Sequence, residues 1–239
     1  GSTVDREVLV SVPEDLSEAV PALFAFHGGD GDNDEWVGSF EVMIDAGAFI
    51  GVYPQGHDGF WALVPEPSNA DDVAFVEAIV SALTPSEMVD PDRLYGIGYS
   101  NGAGMVHRLG IETDHFRAFA ALATALTIDP QPEPGAHTES VLQIHGMLDD
   151  TCPYGGGDSP VDHTFVHAED SASIWASAIG CSGDPITDDK PNGDRWITWT
   201  DCPDGRAVQH IGLAREGHGL PPGFMGGLNA FVWDFLSTH

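Results

Sequence analysis

One serine in this chain stands where it could act as a nucleophile. The segment Arg93-Leu-Tyr-Gly-Ile-Gly-Tyr-Ser-Asn-Gly-Ala-Gly-Met105 runs from an apolar stretch through Gly98-Tyr99-Ser100-Asn101-Gly102 into a helical pattern. A G-x-S-x-G at a strand-to-helix junction forces the serine out above the sheet edge. Glycines two residues to either side are needed because a Cβ there would collide with the neighbouring strand or helix. The turn also aims the Asn101 backbone N–H and the positive end of the following helix at the space above Ser100 Oγ, where a developing oxyanion would sit. The chemistry this predicts is acyl transfer through Ser100.

A serine hydroxyl is a weak nucleophile near neutral pH, so it needs a base, and the base needs a carboxylate to orient it. Where the serine sits on such a turn, the acid and then the histidine follow it in the chain. Gln143-Ile-His-Gly-Met-Leu-Asp-Asp-Thr-Cys-Pro-Tyr154 follows a strand pattern and offers Asp149 and Asp150, either of which could serve from a loop. The base should lie after the last strand and before the last helix, which selects His218 in Glu216-Gly-His-Gly-Leu-Pro221 from eleven histidines. His210 reads as a strand residue, and His107 and His115 as helix-surface residues. Leu23-Phe-Ala-Phe-His-Gly-Gly-Asp30 ends an early strand in glycines, so Gly29, or Asp30 beside it, is the second oxyanion donor expected beside Asn101.

Asp30-Gly-Asp-Asn-Asp-Glu35 with Glu41 has the carboxylate spacing of a calcium loop, but Glu35 stands where that loop needs glycine, so a solvated loop is expected. No His/Cys cluster has zinc spacing, and neither metal nor cofactor is expected. Trp61 in Asp58-Gly-Phe-Trp61 and Tyr154 beside the acid loop are candidate substrate contacts, with Trp36 a weaker one. Core packing is the competing role for each.

These residues need a scaffold. Apolar runs alternating with helical periodicity predict a parallel sheet with helices on both faces. The expected strands are Arg6–Val12, Ala22–Phe26, Phe49–Tyr53, Leu94–Tyr99, Phe119–Ala123, Val141–His145 and Ala207–Leu213; the expected helices are Glu35–Ala46, Ala70–Leu83, Asn101–Leu109, Glu169–Ala178 and Phe224–Leu236. Leu126–Thr138 and Cys181–Asp194 are rich in Pro, Gly and Asp and read as excursions from the core, too short to form a cap domain. One domain over residues 1–239 is expected.

Composition narrows the partners. The chain carries 38 Asp and Glu against 8 Lys and Arg, for a formal net charge of −30 spread over both halves. That charge repels phosphate backbones and anionic lipid, which excludes nucleic acid and membrane surfaces as partners. The longest apolar runs, such as Ala118–Ala125, are too short to span a bilayer. With 42% hydrophobic residues the chain is globular, and an acidic coat on a globular protein suits a salt-rich medium. Cys181 and Cys202 bracket a polar loop and are read as a disulfide, which implies an oxidising compartment, while Cys152 stands apart. Three free thiols in a cytosolic enzyme is the alternative.

Together the motifs resemble the α/β-hydrolase family that contains lipoprotein-type poly(3-hydroxybutyrate) depolymerases, feruloyl esterases and acetylxylan esterases. The resemblance runs over nearly the whole chain. It rests on Phe26-His27-Gly28, Trp61 with Asp72-Val73-Ala74-Phe75, Gly98-Tyr99-Ser100-Asn101-Gly102-Ala103, His145 through Tyr154, the Cys181 and Cys202 pair, and Glu216-Gly217-His218-Gly219-Leu220-Pro221-Pro222-Gly223. The family's acid is the first Asp after His-Gly-x-x, which implies Asp149. Leu220 stands where the family often has Trp and Cys152 where it usually has Val, so the rim beside the triad departs from the family. The resemblance implies a secreted serine ester hydrolase; a monomer is expected. Its substrates would be feruloyl esters, hydroxyalkanoate polyesters or acetylated sugars, and an open groove would also admit terephthalate-type polyesters. A serine peptidase on the same fold and a non-catalytic binding protein are the rival readings.

Overall fold

Runs without polar interruption become strands covered on both faces, as a parallel sheet requires. The computed structural model describes residues 4–64, 70–135, 139–219 and 224–239, with backbone alone for 224–226. In chain order the elements are β1 (Val8–Ser11), β2 (Val20–Phe26), α1 (Glu41–Asp45), β3 (Ile50–Pro54), α2 (Asp72–Leu83), β4 (Val89–Tyr99), α3 (Asn101–Glu112), β5 (Ala118–Leu122) and β6 (Ser140–Gly146). There follow β7 (Gly157–Asp158), β8 (Thr164–Phe165), α4 (Ala168–Ile179), β9 (Ile186–Asp189), β10 (Arg195–Trp199), β11 (Val208–Leu213) and α5 (Phe224–Thr238). Every residue of β2, β3, β5 and β6 is buried.

The main sheet has the order β1-β3-β2-β4-β5-β6-β11-β10-β9. From β3 to β11 the strands are parallel; β1 at one edge and β10 at the other run antiparallel to them, and β9 pairs antiparallel with β10. Alternate residues feed two cores. Phe24 and Phe26 of β2 join α2, α3 and α4 on one face, and Leu23 and Ala25 join α1 and α5 on the other. A strand order that reverses direction around β2 and β4 leaves a crevice at their carboxyl ends, the usual place for a ligand in an open α/β sheet.

Three expectations need correction. The helix expected over Glu35–Ala46 shrinks to the short α1, because the chain runs through turns before it and Gly38 takes φ +83. The excursion expected over Cys181–Asp194 is not only loop: β9 lies inside it and pairs with β10 to extend the sheet, and the Cys181–Cys202 disulfide closes the base of this hairpin. His107, expected on a helix surface, is buried in α3, where its Nδ1 accepts from the Trp175 indole N–H at 3.0 Å. Residues 136–138 of the Leu126–Thr138 segment lie outside the described residues. Among the described residues, no helix is long and apolar enough to cross a membrane.

Candidate active site

Ser100 sits between β4 and α3 with φ 53 and ψ −120, a conformation that costs energy for any residue with a Cβ and is kept only where the surroundings enforce it. Those surroundings are visible. The Ser100 N–H donates to Leu122 O at 2.8 Å, and its carbonyl accepts from Ala103 N–H, Gly104 N–H and the Thr124 hydroxyl. A Cβ on Gly98 would lie 2.1 Å from Gly102 O, and one on Gly102 would lie 2.2 Å from Phe26 O. The glycines of the motif are thus set by backbone packing, which pushes Ser100 above the sheet.

His218 Nε2 lies 2.7 Å from Ser100 Oγ, and His218 Nδ1 lies 2.8 Å from Asp149 Oδ2. The carboxylate can only accept, so Nδ1 carries the proton and Nε2 is left to take one from the serine. The histidine loop is tied down twice: the Tyr99 hydroxyl donates to His218 O at 2.8 Å, and Leu148 N–H donates to Glu216 O at 2.9 Å, which couples the acid loop to the base loop. Asp149 is buried and Asp150 is exposed, so Asp149 is the carboxylate that faces the imidazole. Burial alone would raise the Asp149 carboxyl. Hydrogen bonds from His145 and His218, with the Cys152 N–H, outweigh it and hold the group well below the usual carboxylate range.

The loop after β2 is built around His27. Gly56 N–H donates to its Nε2 at 2.8 Å, so Nδ1 carries the proton and donates to Gly28 O at 2.7 Å. In a trans peptide the carbonyl and the following N–H point opposite ways, so this bond turns the Gly29 N–H away from His27. Gly29 lies beside Asn101, a Cβ built on it falling 3.5 Å from Asn101 Cβ. Glu35, the misfit in the calcium spacing, accepts the Gly28 N–H at 3.1 Å and so braces this loop. Among the described residues no group of three His, Cys, Asp or Glu side chains is placed to hold a metal ion.

The expected aromatic contacts are core residues. Trp61 is 2% exposed, donates its indole N–H to His27 O at 3.1 Å and packs edge-on against Phe26. Trp36 is buried and donates to Phe26 O. Tyr154 is 8% exposed, and its hydroxyl donates to Glu169 and lies 2.9 Å from His210 Nε2. Each indole or phenol finds a polar partner inside, which is what lets so large a ring be buried. The ring that sequence reasoning missed is Phe60. It is 51% exposed, and a Cβ on Gly29 would come within 3.0 Å of it. Phe60 and Trp61 are adjacent, so one faces out where the other faces in, and nothing in the sequence says which. Leu148, 65% exposed next to Asp149, adds apolar surface on the acid side. Cys152 is buried, and burial pushes its thiol up to about 11, which makes it a poor nucleophile. Leu220, Pro221, Pro222 and Gly223 lie outside the described residues.

No protein-family model matches the chain. Feruloyl esterase B of Piromyces equi is 28% identical over 251 residues, covering 97% of this chain and 45% of that protein. Feruloyl esterase C of Emericella nidulans is 30% identical over 199 residues, covering 77% of this chain and 70% of that protein. The chain spans about half the length of some curated relatives it matches. Among solved structures, acetyl xylan esterase from Aspergillus awamori superposes with a TM-score of 0.71 at 16% identity, over 95% of this chain and 93% of that one. A Bacillus cereus carboxylesterase gives 0.63 at 16% identity, over 97% and 94%. At these identities the likeness is one of fold, and the fold is that of the α/β-hydrolases.

Proposed function

The chain belongs to the feruloyl esterase family, and on that premise we propose that it is a secreted serine carboxylic-ester hydrolase acting on aromatic esters or polyesters. The observation that carries the reading is the continuous line Ser100 Oγ, His218, Asp149, with 2.7 Å and 2.8 Å links and His218 22% exposed. Ser100 Oγ attacks the ester carbonyl carbon while His218 Nε2 takes its proton. The resulting oxyanion is held by the N–H groups of Asn101 and Gly29. His218 returns the proton to the leaving alkoxide as the C–O bond breaks, which leaves an acyl-enzyme. Water then attacks the acyl carbon with His218 again as base; the Ser100 Oγ–C bond breaks, His218 returns the proton to Oγ, and the carboxylic acid departs. Asp149 keeps the imidazole in the right tautomer and stabilises its charged form.

Phe60 supports an aromatic acyl group, since an exposed ring over the oxyanion loop offers a face for stacking. The disulfide supports an oxidising, extracellular setting. The test is a panel of methyl ferulate, hydroxybutyrate oligomer, acetylated xylan, a terephthalate ester and a peptide anilide. Methyl ferulate or the terephthalate ester should lead it, and Phe60→Ala should cut kcat/KM on these about three- to tenfold while sparing p-nitrophenyl acetate. Preference for the anilide would turn the reading to a peptidase.

A further inference from the structure

Asp149 Oδ2 is shared by two imidazoles. His218 Nδ1 lies 2.8 Å away, and His145 Nε2 lies 3.0 Å away while also standing 2.9 Å from Cys152 O. Both neighbours of His145 Nε2 can only accept, so that nitrogen carries a proton and donates. His145 Nδ1 is buried with no hydrogen-bond partner among the described residues, so nothing there accepts from a proton on that side. The His145 side chain is 1% exposed and that of Asp149 0%, which makes this a dry contact where a donor counts for more than it would in water. The other carboxylate oxygen, Oδ1, accepts from Thr151 N–H and Cys152 N–H, each at 2.9 Å. Among the described residues Asp149 therefore receives four donors, and only one of them belongs to the reacting imidazole.

We infer that His145 is a positioning residue of the triad: its Nε2–H fixes the Asp149 carboxylate and draws charge from the oxygen that holds His218. The inference rests on the serine-hydrolase reading above. Its consequence follows from electrostatics. A carboxylate already shared with a second donor stabilises the His218 imidazolium less than a lone carboxylate would. Removing the second donor should move the acid limb of kcat/KM upward.

Other titratable groups lie against this pair or against the rings packed on it. Cys152 and Tyr154 come from the acid loop and the turn after it, Tyr99 from β4, His107 from α3, His210 from β11, and His167 from the start of α4 with Glu169 and Arg195 behind it. Burial lowers His107 to about 4 and His210 to about 3, and raises Cys152 to about 11 and both tyrosines above their usual range. Those shifts move these five groups away from neutrality, and His167→Gln controls for the imidazole packed on Tyr154.

The experiment is the pH dependence of kcat/KM on p-nitrophenyl butyrate, normalised to active sites titrated with a phosphonate. His145→Phe removes the donor and should shift the acid limb up by about one pH unit. His145→Gln, which can still present an N–H, should restore most of the wild-type position, and His167→Gln should leave it in place. A folded His145→Phe with the limb unmoved, or a shift in His167→Gln instead, overturns the inference. Independently of any variant, 15N spectra of histidine-labelled wild-type protein should show His145 protonated at Nε2; a bare Nε2 overturns it equally. Activity that survives Ser100→Ala would strike the parent reading alone.

Discussion

The side chain of Asn101 pairs with the backbone of Trp61 as one strand pairs with another: Trp61 N–H donates to Asn101 Oδ1 at 2.7 Å, and Asn101 Nδ2 donates to Trp61 O at 2.9 Å. The residue whose N–H is assigned to the oxyanion hole thereby also holds the loop that carries Phe60. Trp61 in turn holds His27 O, so the nucleophile turn and the loop after β2 are clamped to each other.

Asn101→Ala keeps the backbone N–H but loses the clamp. It should cost about 1–3 kcal/mol in urea unfolding, and it should lower kcat/KM about 10- to 100-fold by loosening the donor geometry. An unchanged rate with lowered stability would mean that the clamp serves folding alone.

The disulfide closes a hairpin at the far edge of the sheet from β2 and β4. Replacing both Cys181 and Cys202 with Ser should therefore cost stability and spare chemistry. A loop of this length is worth about 3 kcal/mol, or a fall in Tm of roughly 6–12 °C in a chain this size, with kcat unchanged at 25 °C. Mass measurement with and without reductant should show the two hydrogens lost on oxidation.

Two buried imidazoles set an acid limit on the fold. Burial first of all lowers His107 to about 4 and His210 to about 3. Unfolded histidine titrates near 6.5, so between that pH and about 4 the unfolded chain binds protons that the native state refuses. Each group then costs about 1.4 kcal/mol per pH unit of acidification, and its stabilisation is complete only above the unfolded value. Unfolding free energy in molar salt should fall by about 4 kcal/mol from pH 7 to pH 5, and His210→Gln should reduce that fall by about half. A flat profile would contradict the burial of these rings.

A net charge of −30 should make the fold salt-dependent. Screening shortens to about 3 Å at 1 M salt, so Tm should rise steadily into the molar range. A Tm unchanged between low and high salt would remove the halophilic reading and leave the esterase reading untouched.

Much of the site was legible because its residues sit where local rules are strict. Gly98 and Gly102 are demanded by contacts under 2.5 Å, and His218 was selected by its place between the last strand and the last helix. The residues misread are those whose position depends on distant packing. Trp61 and Tyr154 look like surface aromatics in polar loops, but interior carbonyls, a glutamate and a histidine satisfy their polar atoms and let them be buried. Strand β9 is fully exposed and acidic, with no alternation to mark it, and forms because β10 offers an edge. His145 carries no sequence signal beyond its place in a His-Gly pair; only the fold brings its Nε2 to Asp149.

The role of Ser100 as nucleophile is tested by the burst and turnover of Ser100→Ala on p-nitrophenyl butyrate beside wild type. Wild type should show a stoichiometric acyl-enzyme burst and the variant none, with turnover lower by about 10⁴-fold or more. Turnover retained within tenfold, or a burst from a protein lacking Ser100 Oγ, would contradict it.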